Sequence, residues 1–156
     1  MQPTITLLVG NIGSGKSTVC KKLRKTNVII SRDAIRYMIG GGKYRFDFKL
    51  EPMVHDSTEA VVRVFMLGKK NIVLDETNMS KSLRAKWIRL AQRYNYRVHV
   101  LLLPKLTMEE SVNRRMNNPH DTPDRKLWEH VWKMFDTMFE TPTKSEGIHK
   151  IIKFKV

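Results

Sequence analysis

One stretch decides the fold: the apolar run Ile5-Thr6-Leu7-Leu8-Val9, followed at once by Gly10-Asn11-Ile12-Gly13-Ser14-Gly15-Lys16-Ser17. The second part fits the phosphate-loop pattern G-x-x-x-x-G-K-S/T, and a helical pattern, Thr18-Val19-Cys20-Lys21-Lys22-Leu23, continues it. A buried strand, a glycine-rich turn and a helix in this order predict backbone N–H groups that surround phosphate oxygens at the positive end of a helix dipole. The stretch therefore predicts a nucleoside triphosphate site.

Individual residues of this loop have predicted roles. Lys16 is expected to reach the β- and γ-phosphates, and the Ser17 hydroxyl is expected to join the coordination of Mg²⁺. The expected cofactors are therefore Mg²⁺ and ATP or another nucleoside triphosphate. The residues predicted to bind the nucleotide are Gly10, Ile12, Gly13, Ser14, Gly15, Lys16, Ser17 and Thr18.

Length and composition predict one cytoplasmic domain. The 156 residues suit a single domain, 1–156, that buries its core without disulfides. Cys20 is the only cysteine, which excludes an intramolecular disulfide and agrees with a reducing cytoplasm. No apolar run approaches the ~18 residues of a membrane span, and the first residues lack a secretion-signal pattern, so no membrane partner is expected. Oligomeric state is not encoded in these features.

The net charge points to a polyanionic partner. Lys and Arg together number 29 against 15 Asp and Glu, which leaves +14 and a sequence pI near 10.1. Because an ATP site alone needs about two or three cations, nucleic acid is the leading partner. The alternatives are a basic surface that serves solubility, or one that serves only ATP and small phosphorylated substrates.

Strand-length apolar stretches alternate with helical patterns along the chain. This alternation predicts an α/β domain with a mainly parallel sheet and helices on both faces. Thr107 and Glu110 form a capping box, and Thr122 with Pro123 predicts the start of the last helix. The predicted strands are Ile5 to Val9, Val28 to Ser31, Asn71 to Asp75, Val98 to Leu103 and Lys150 to Val156.

Two polar motifs follow predicted strands. In Ser31-Arg32-Asp33-Ala34-Ile35-Arg36, a carboxylate lies near the carboxyl end of a strand, where open α/β folds bind ligands. Asp33 is expected to orient an acceptor hydroxyl and receive its proton, and Arg36 to lie beside it and offer a fork to an acceptor phosphate. The alternative is that Asp33 only caps the following helix.

The second motif is Ile72-Val73-Leu74-Asp75-Glu76-Thr77-Asn78. Asp75 ends a buried strand and is expected to support the Mg²⁺ shell. Thr77 and Asn78 are expected either to orient Asp33 or the acceptor, or to form the turn that ends the strand.

Two segments are predicted to be mobile substrate loops. Gly40 to Phe46 combines three glycines with aromatic and basic residues, which suits stacking on a base but also a plain surface loop. Asn113 to Asp121 joins two helices, and the lid is expected at about 113–122. Its Arg114, and less strongly Arg115, are candidates to stabilise charge on the transferring phosphoryl group, or are merely solvated.

With three motifs together, GNIGSGKST (10–18), SRDAIR (31–36) and LDETN (74–78), the chain resembles the 5′-polynucleotide kinase family, among small P-loop kinases related to adenylate kinase. The resemblance implies a helical lid, a general base at Asp33 for a 5′-hydroxyl of DNA or RNA, and an Arg36 that holds the adjacent phosphate. Asp75, Thr77 and Asn78 match the family's D-x-T-N segment, while Glu76 stands where some bacteriophage-type members carry the acidic residue. Arg114 matches the first lid arginine and Asn118 stands where the second is expected. The residues implied on the acceptor side are Arg32, Arg36, Asp75, Glu76, Thr77 and Asn78.

The leading hypothesis is a Mg²⁺-dependent kinase that moves the γ-phosphate of ATP to the 5′-hydroxyl of DNA or RNA, as in nucleic acid repair. This chain is too short to carry also the phosphatase or ligase domain of many family members. Two alternatives remain: a kinase of nucleosides, nucleotides or other metabolites, and a binding module that uses ATP without transferring phosphate.

Overall fold

The computed structural model describes residues 1–155 and shows a five-stranded parallel sheet flanked by α-helices. The strand order is β2-β3-β1-β4-β5, and every neighbouring pair is parallel. The predicted α/β P-loop fold is therefore confirmed. The strands are β1 Thr4–Val9, β2 Val28–Ile30, β3 Ile72–Leu74, β4 Arg97–Leu102 and β5 Lys150–Lys153, and the helices are α1 Lys16–Leu23, α2 Arg32–Ile39, α3 Glu51–Leu67, α4 Lys81–Arg93, α5 Met108–Asn117 and α6 Arg125–Met138.

The central strand β1 has a continuous apolar sequence because both of its faces are covered. Ile5 and Leu7 belong to the core cluster on one face of the sheet, whereas Leu8 belongs to the cluster on the other face with Val19 and Cys20 of α1. All three β1 side chains are fully buried. Parallel sheets are covered on both faces in this way, and helices on each side exclude water from the strands.

The carboxyl ends of the strands bring the polar motifs to one edge of the sheet. The Gly10 N–H donates to the Thr77 carbonyl over 3.1 Å, and the Asp75 N–H donates to the Ile30 carbonyl over 2.8 Å. The phosphate loop after β1, the start of α2 after β2 and the turn after β3 are thus neighbours. Ligands of open α/β sheets bind at such an edge.

The predicted strands are confirmed with small shifts of their ends. Ser31, predicted to end a strand, instead caps α2, since its hydroxyl accepts from the Ala34 N–H. The last strand stops at Lys153, and Val156 lies outside the described residues. None of the helices in residues 1–155 is both long and apolar enough to cross a membrane.

Two predictions around the last helices were wrong. The last helix begins at Arg125 rather than at Thr122, because Asp124 provides the cap and accepts from the Leu127 N–H. Residues 113–117, predicted as loop, form the last turns of α5, since Val112 and Met116 bury against Trp128 of α6. The predicted capping box of Thr107 and Glu110 is present.

Candidate active site

The phosphate loop has the backbone conformation that its glycines permit. Gly13 and Gly15 have φ angles of 65° and 103°, in the left-handed region that other residues rarely adopt. A Cβ on Gly13 would lie 2.3 Å from the Ser111 carbonyl oxygen, so the loop packs directly on α5. The glycine positions therefore set both the curvature of the loop and its approach to α5.

An anion fits the mouth of this loop. Helix α1 begins at Lys16 with no side-chain cap and no acidic residue in its first turn, which leaves its first N–H groups available. The buried Ser14 hydroxyl has no hydrogen-bond partner within the described part of the chain. Ser17 and Thr18 are exposed on the first turn of α1. A phosphate chain would satisfy these donors.

Two loop residues are engaged with the protein itself. The Lys16 ammonium donates to the carbonyls of Gly10 (2.9 Å) and Asn11 (2.7 Å). Burial lowers the pKa of Lys16 to about 8, although Asp75 partly opposes the shift. The Ile12 N–H already donates to the Asn11 side chain over 2.7 Å. Lys16 therefore remains charged at neutral pH, close to where the phosphates would lie.

Of the two acidic candidates after β3, Asp75 is the one whose charge acts on Lys16. Burial raises the pKa of Asp75, and Lys16 is the strongest opposing influence. With the Ser17 hydroxyl, this carboxylate suits Mg²⁺, which keeps several waters and takes further ligands from substrate phosphates. Burial and the neighbouring Asp75 also raise the pKa of the Cys20 thiol to about 12, so that it stays protonated.

Glu76 and Arg32 pair with each other on the far side of the strand end. Their closest approach is 2.7 Å, and Arg32 also contacts His55 Nε2 at 3.0 Å. These residues line a cavity of about 110 Å³ together with Lys86. Burial raises the pKa of Glu76, with Arg32 opposing it. Neither residue is among the groups that act on the charge of Lys16, and their contact with substrate stays a prediction.

Thr77 and Asn78 form the turn that ends β3, as in one of the two sequence interpretations. Asn78 is 1% exposed, has a φ of 46° and donates through its side-chain amide to the Leu8 carbonyl over 2.9 Å. The Thr77 carbonyl accepts from the Gly10 N–H. Both residues link the strand ends, Asn78 through its buried side chain and Thr77 through its backbone carbonyl, and an acceptor role for the Thr77 side chain stays a prediction.

Asp33 lies in the first turn of α2 and holds a network of donors. Its Oδ1 accepts from Arg36 (2.7 Å) and from the Tyr44 hydroxyl (2.9 Å), while His120 Nε2 lies 3.6 Å from Oδ2. Burial opposes ionisation, but His120 and Arg36 outweigh it and hold the pKa of Asp33 below its usual range. Ser31, not Asp33, caps α2. Asp33 is therefore an ionised carboxylate that is not needed as a cap.

Arg36 is fully engaged by neighbouring side chains. Its Nε and one terminal nitrogen donate to Glu51 over 3.1 and 2.5 Å, and the other terminal nitrogen donates to Asp33. Glu51, a partner that no sequence pattern indicated, thus occupies the fork that was predicted to face an acceptor phosphate. Arg36 instead orients Asp33 and anchors α2 to α3.

Four site residues, Tyr37, Tyr44, His120 and Asp121, were not predicted individually, because they come from three separate segments. The His120 ring stacks on Tyr44 with ring centres 4.7 Å apart, and its Nδ1 is 2.8 Å from the Tyr37 hydroxyl. The Asp121 carboxylate accepts from the Tyr44 N–H over 2.9 Å. The Gly40 to Phe46 loop and the α5–α6 connection therefore meet above Asp33. The only local signal was the alternation of aromatic and basic residues around Tyr44.

The two lid arginines occupy different positions. Arg115 stacks over Trp128 at 5.0 Å, and its Nε is buried with no partner among the residues described. Asp33 and Asp75 both act on its charge. Arg114 is exposed and reaches the Gly13 carbonyl at 3.4 Å, while Asn118 ends α5 and its backbone carbonyl accepts from Arg115. Geometry therefore favours Arg115, the weaker candidate from sequence, as the cation inside the site.

The donor and acceptor sides form one electrostatic unit. The charge of Lys16 is influenced by Asp75, Arg115 and Asp33, and the charge of Arg115 is influenced by both carboxylates. Cations and carboxylates from β1–α1, α2, the β3 end and α5 thus converge. Such an arrangement can neutralise a phosphate chain and hold a nucleophile beside it.

Solved structures with a similar fold include kinases. A chain of a Pnkp1/Rnl/Hen1 complex is 26% identical over 72% of this protein, with a TM-score of 0.62, and this protein spans 39% of that chain's length. A fungal RNA kinase is 17% identical, with a TM-score of 0.58 and coverage of 100% of this chain and 76% of the kinase. The APS kinase CysC of Mycobacterium tuberculosis, solved with AMPPNP and APS, is 12% identical with a TM-score of 0.64, and the coverage is 97% and 88%.

A family profile decides the assignment. The profile described as an AAA domain matches residues 5–142, which include the phosphate loop, Asp33, Asp75 and the lid arginines. Its relatives of known structure include kinases of RNA and of small molecules. The chain therefore belongs to the AAA domain family, and its fold is the P-loop kinase fold.

Proposed function

We propose that the protein is a polynucleotide 5′-hydroxyl kinase, which transfers the γ-phosphate of ATP to a 5′-hydroxyl end of DNA or RNA and so repairs broken ends. The main support for this proposal is the charge state and position of Asp33. This residue is ionised, its side chain is 43% exposed, and its charge interacts with Lys16 of the phosphate loop. A carboxylate in that position suits a hydroxyl acceptor.

On the donor side, the free N–H groups of α1 and Lys16 hold the phosphates of ATP. Ser17 and Asp75 hold Mg²⁺, which when bound neutralises charge on the β- and γ-phosphates. Lys16 must leave the carbonyls of Gly10 and Asn11 to reach the phosphates. Because burial lowers the pKa of Lys16 to about 8, the side chain loses its charge, and with it strong anion binding, as pH rises above that value.

On the acceptor side, Asp33 orients the attacking hydroxyl and receives its proton. Arg36 and Tyr44 both bind Oδ1, so the acceptor is assigned to Oδ2, which His120 Nε2 approaches only to 3.6 Å. Arg115, with Arg114 at the loop carbonyl, stabilises the charge that spreads over the transferring phosphoryl group. The segment 113–122 acts as the lid, because it supplies both arginines and His120.

A nucleic acid acceptor is supported by two further observations. The net charge of +14 exceeds what ATP requires. The 26% identity with a chain of the Pnkp1/Rnl/Hen1 complex extends over 72% of this protein. A small acceptor would leave most of this charge without a ligand.

Transfer of labelled γ-phosphate tests the proposal. The acceptors are 5′-hydroxyl DNA and RNA oligonucleotides, the same oligonucleotides already phosphorylated at the 5′ end, nucleoside 3′-monophosphates and free nucleosides. We expect label on 5′-hydroxyl oligonucleotides only, with a rate that falls steeply as salt rises. Lys16→Ala serves as the inactive control. Label confined to nucleosides or to other small acceptors, or the absence of transfer by an ATP-binding protein, would contradict the proposal.

A further inference from the structure

The segment that follows the glycines of residues 40–42 carries aromatic rings from the active site to the surface. Tyr44 bonds to Asp33 and stacks on His120 inside the site. The Arg36 guanidinium lies 5.5 Å from the centre of the Phe46 ring, and Phe48 packs edge-on against Phe46 at 5.3 Å. One guanidinium, that of Arg36, therefore contacts both Asp33 and the first exposed ring.

These two phenylalanines have little protein around them. Phe46 is 52% exposed and Phe48 is 84% exposed. The segment is nevertheless anchored, because the Tyr44 N–H donates to Asp121 and the Leu50 N–H donates to the Asp47 carbonyl. Two large apolar rings held in water beside a site of phosphate chemistry are available to a ligand with flat apolar faces.

The charges around the two rings select a polyanion. Lys43, Arg45 and Lys49 are exposed and alternate with the aromatic residues, and none of the three forms an ion pair within residues 1–155. Asp47 is the only carboxylate of this stretch, and it accepts from the Lys49 N–H. Aromatic faces that stack on bases, with cations that follow the phosphates, are the means by which proteins bind single strands.

We propose that Phe46 and Phe48, with Lys43, Arg45 and Lys49, form a Phe platform that binds the bases next to the 5′ end of a single-stranded nucleic acid. This inference rests on the proposed function and narrows its substrate to unpaired ends. In a blunt duplex only the terminal pair offers a free face, so two rings at an edge-on angle cannot both stack on its bases. An overhanging strand can offer both bases.

Equilibrium binding tests the Phe platform without requiring phosphate transfer. The probe is a 5′-hydroxyl single-stranded RNA or DNA oligomer with a fluorophore at its 3′ end, and anisotropy gives the Kd. We expect Phe46→Ala with Phe48→Ala to weaken binding by roughly tenfold or more, since each stacked base contributes substantially. Phe46→Tyr with Phe48→Tyr keeps flat rings and should bind as tightly as the unchanged protein. Thermal unfolding of each variant establishes that it is folded.

Matched controls separate stacking from exposed apolar surface. Val64→Ala with Leu67→Ala removes apolar groups that are 64% and 70% exposed on α3, and binding should not change. Phe46→Leu with Phe48→Leu keeps apolar volume but no ring, and should bind as weakly as the alanine pair. Full binding by the leucine pair, equal Kd values for a blunt duplex and a single strand, or a change in oligomeric state caused by the alanine pair would overturn the inference.

The two proposals can fail separately. Oligomer binding that depends on both rings, without transfer of label to any 5′ end, would uphold the Phe platform and contradict the kinase. Transfer to single-stranded ends with an unchanged KM in the alanine pair would uphold the kinase and contradict the Phe platform.

Discussion

The donor and acceptor halves of the site are built in different ways. Apart from Asp75, the donor half comes from one contiguous stretch, 10–17, and works largely through backbone N–H groups whose directions are set by two glycines with positive φ. The acceptor half comes from α2, the start of α3 and the α5–α6 connection, and works through side chains that hold one another. A backbone site depends on local conformation, whereas a side-chain site depends on the whole fold.

This difference has a consequence for substitutions. In the donor half, replacing a glycine strains the backbone of the loop. In the acceptor half, a changed residue acts through the charge and orientation of Asp33, because Arg36, Tyr44 and His120 all contact it.

In the donor half, the largest loss of stability is expected from Gly13→Ala. We expect it to lower the free energy of unfolding by about 3 kcal/mol, since its Cβ would overlap the Ser111 carbonyl at 2.3 Å and its φ is 65°. Gly15→Ala has the same kind of strain, but its nearest neighbour is 3.8 Å away, so about 1 kcal/mol is expected. Urea unfolding without nucleotide measures both, and equal losses would contradict the packing of the loop on α5.

The lid provides the next test, because it joins the two halves. Arg115→Met should lower kcat by about 100-fold, as this guanidinium lies where Asp33 and Asp75 both act on it. Arg114→Met, the matched change at an exposed arginine, should lower kcat by less than about tenfold. Steady-state kinetics with a 5′-hydroxyl oligonucleotide measures both. The reverse order of effects would return the main role to Arg114.

A change of pH tests the role of charge in the donor half without altering its backbone. Since burial lowers the pKa of Lys16 to about 8, its charge is present below that pH and is lost as pH rises through it. The affinity for ATP should therefore fall above pH 8, by up to about tenfold per pH unit. Lys16→Arg stays charged and should show no such fall. Calorimetric titration with ATP measures the affinity of both proteins from about pH 6.5 to about pH 9.5, a range that extends about 1.5 pH units on either side of pH 8. Parallel pH profiles of affinity for the two proteins would contradict the prediction.

The smallest effect is expected from Tyr44→Phe in the acceptor half. The Tyr44 hydroxyl is one of the donors that hold the pKa of Asp33 low, so its removal should raise that pKa. Because the ionised form accepts the proton, kcat is lost as pH falls through this pKa, and the acidic limb of the pH profile of kcat should move to higher pH. Tyr94→Phe, far from Asp33, is the control. A shift toward lower pH would contradict the role of the hydroxyl.

The same contrast explains what could be predicted from the sequence. The phosphate loop, the parallel sheet and the positions of Asp33 and Asp75 follow from local patterns, because strand ends and glycine turns have local signals. Arg36 was identified, but its partner Glu51 was not, since the two meet only when α2 packs on α3. His120 and Tyr44 are separated in sequence by about half of the chain and meet through the lid.

Two further choices between neighbouring residues depend on the fold in the same way. Arg114 and Arg115 are adjacent in sequence and differ only in which side of α5 they occupy, and the packing of α5 on Trp128 decides that. Likewise, Asp75 and Glu76 lie at the end of a strand, where one residue changes the side that a carboxylate faces. Glu76 therefore meets Arg32 and Asp75 meets the phosphate loop.

Asp33 is proposed to orient and deprotonate the acceptor hydroxyl and to have no part in binding ATP. The most direct measurement is the single-turnover rate of phosphate transfer from ATP to a single-stranded 5′-hydroxyl oligonucleotide by Asp33→Asn, together with its Kd for ATP. We expect a single-turnover rate lower by roughly 10²- to 10⁴-fold than that of the unchanged protein and an unchanged Kd for ATP, since the amide keeps the shape of the side chain but cannot accept the proton. A variant that transfers at the normal rate, or one that loses ATP binding along with transfer, would contradict the account.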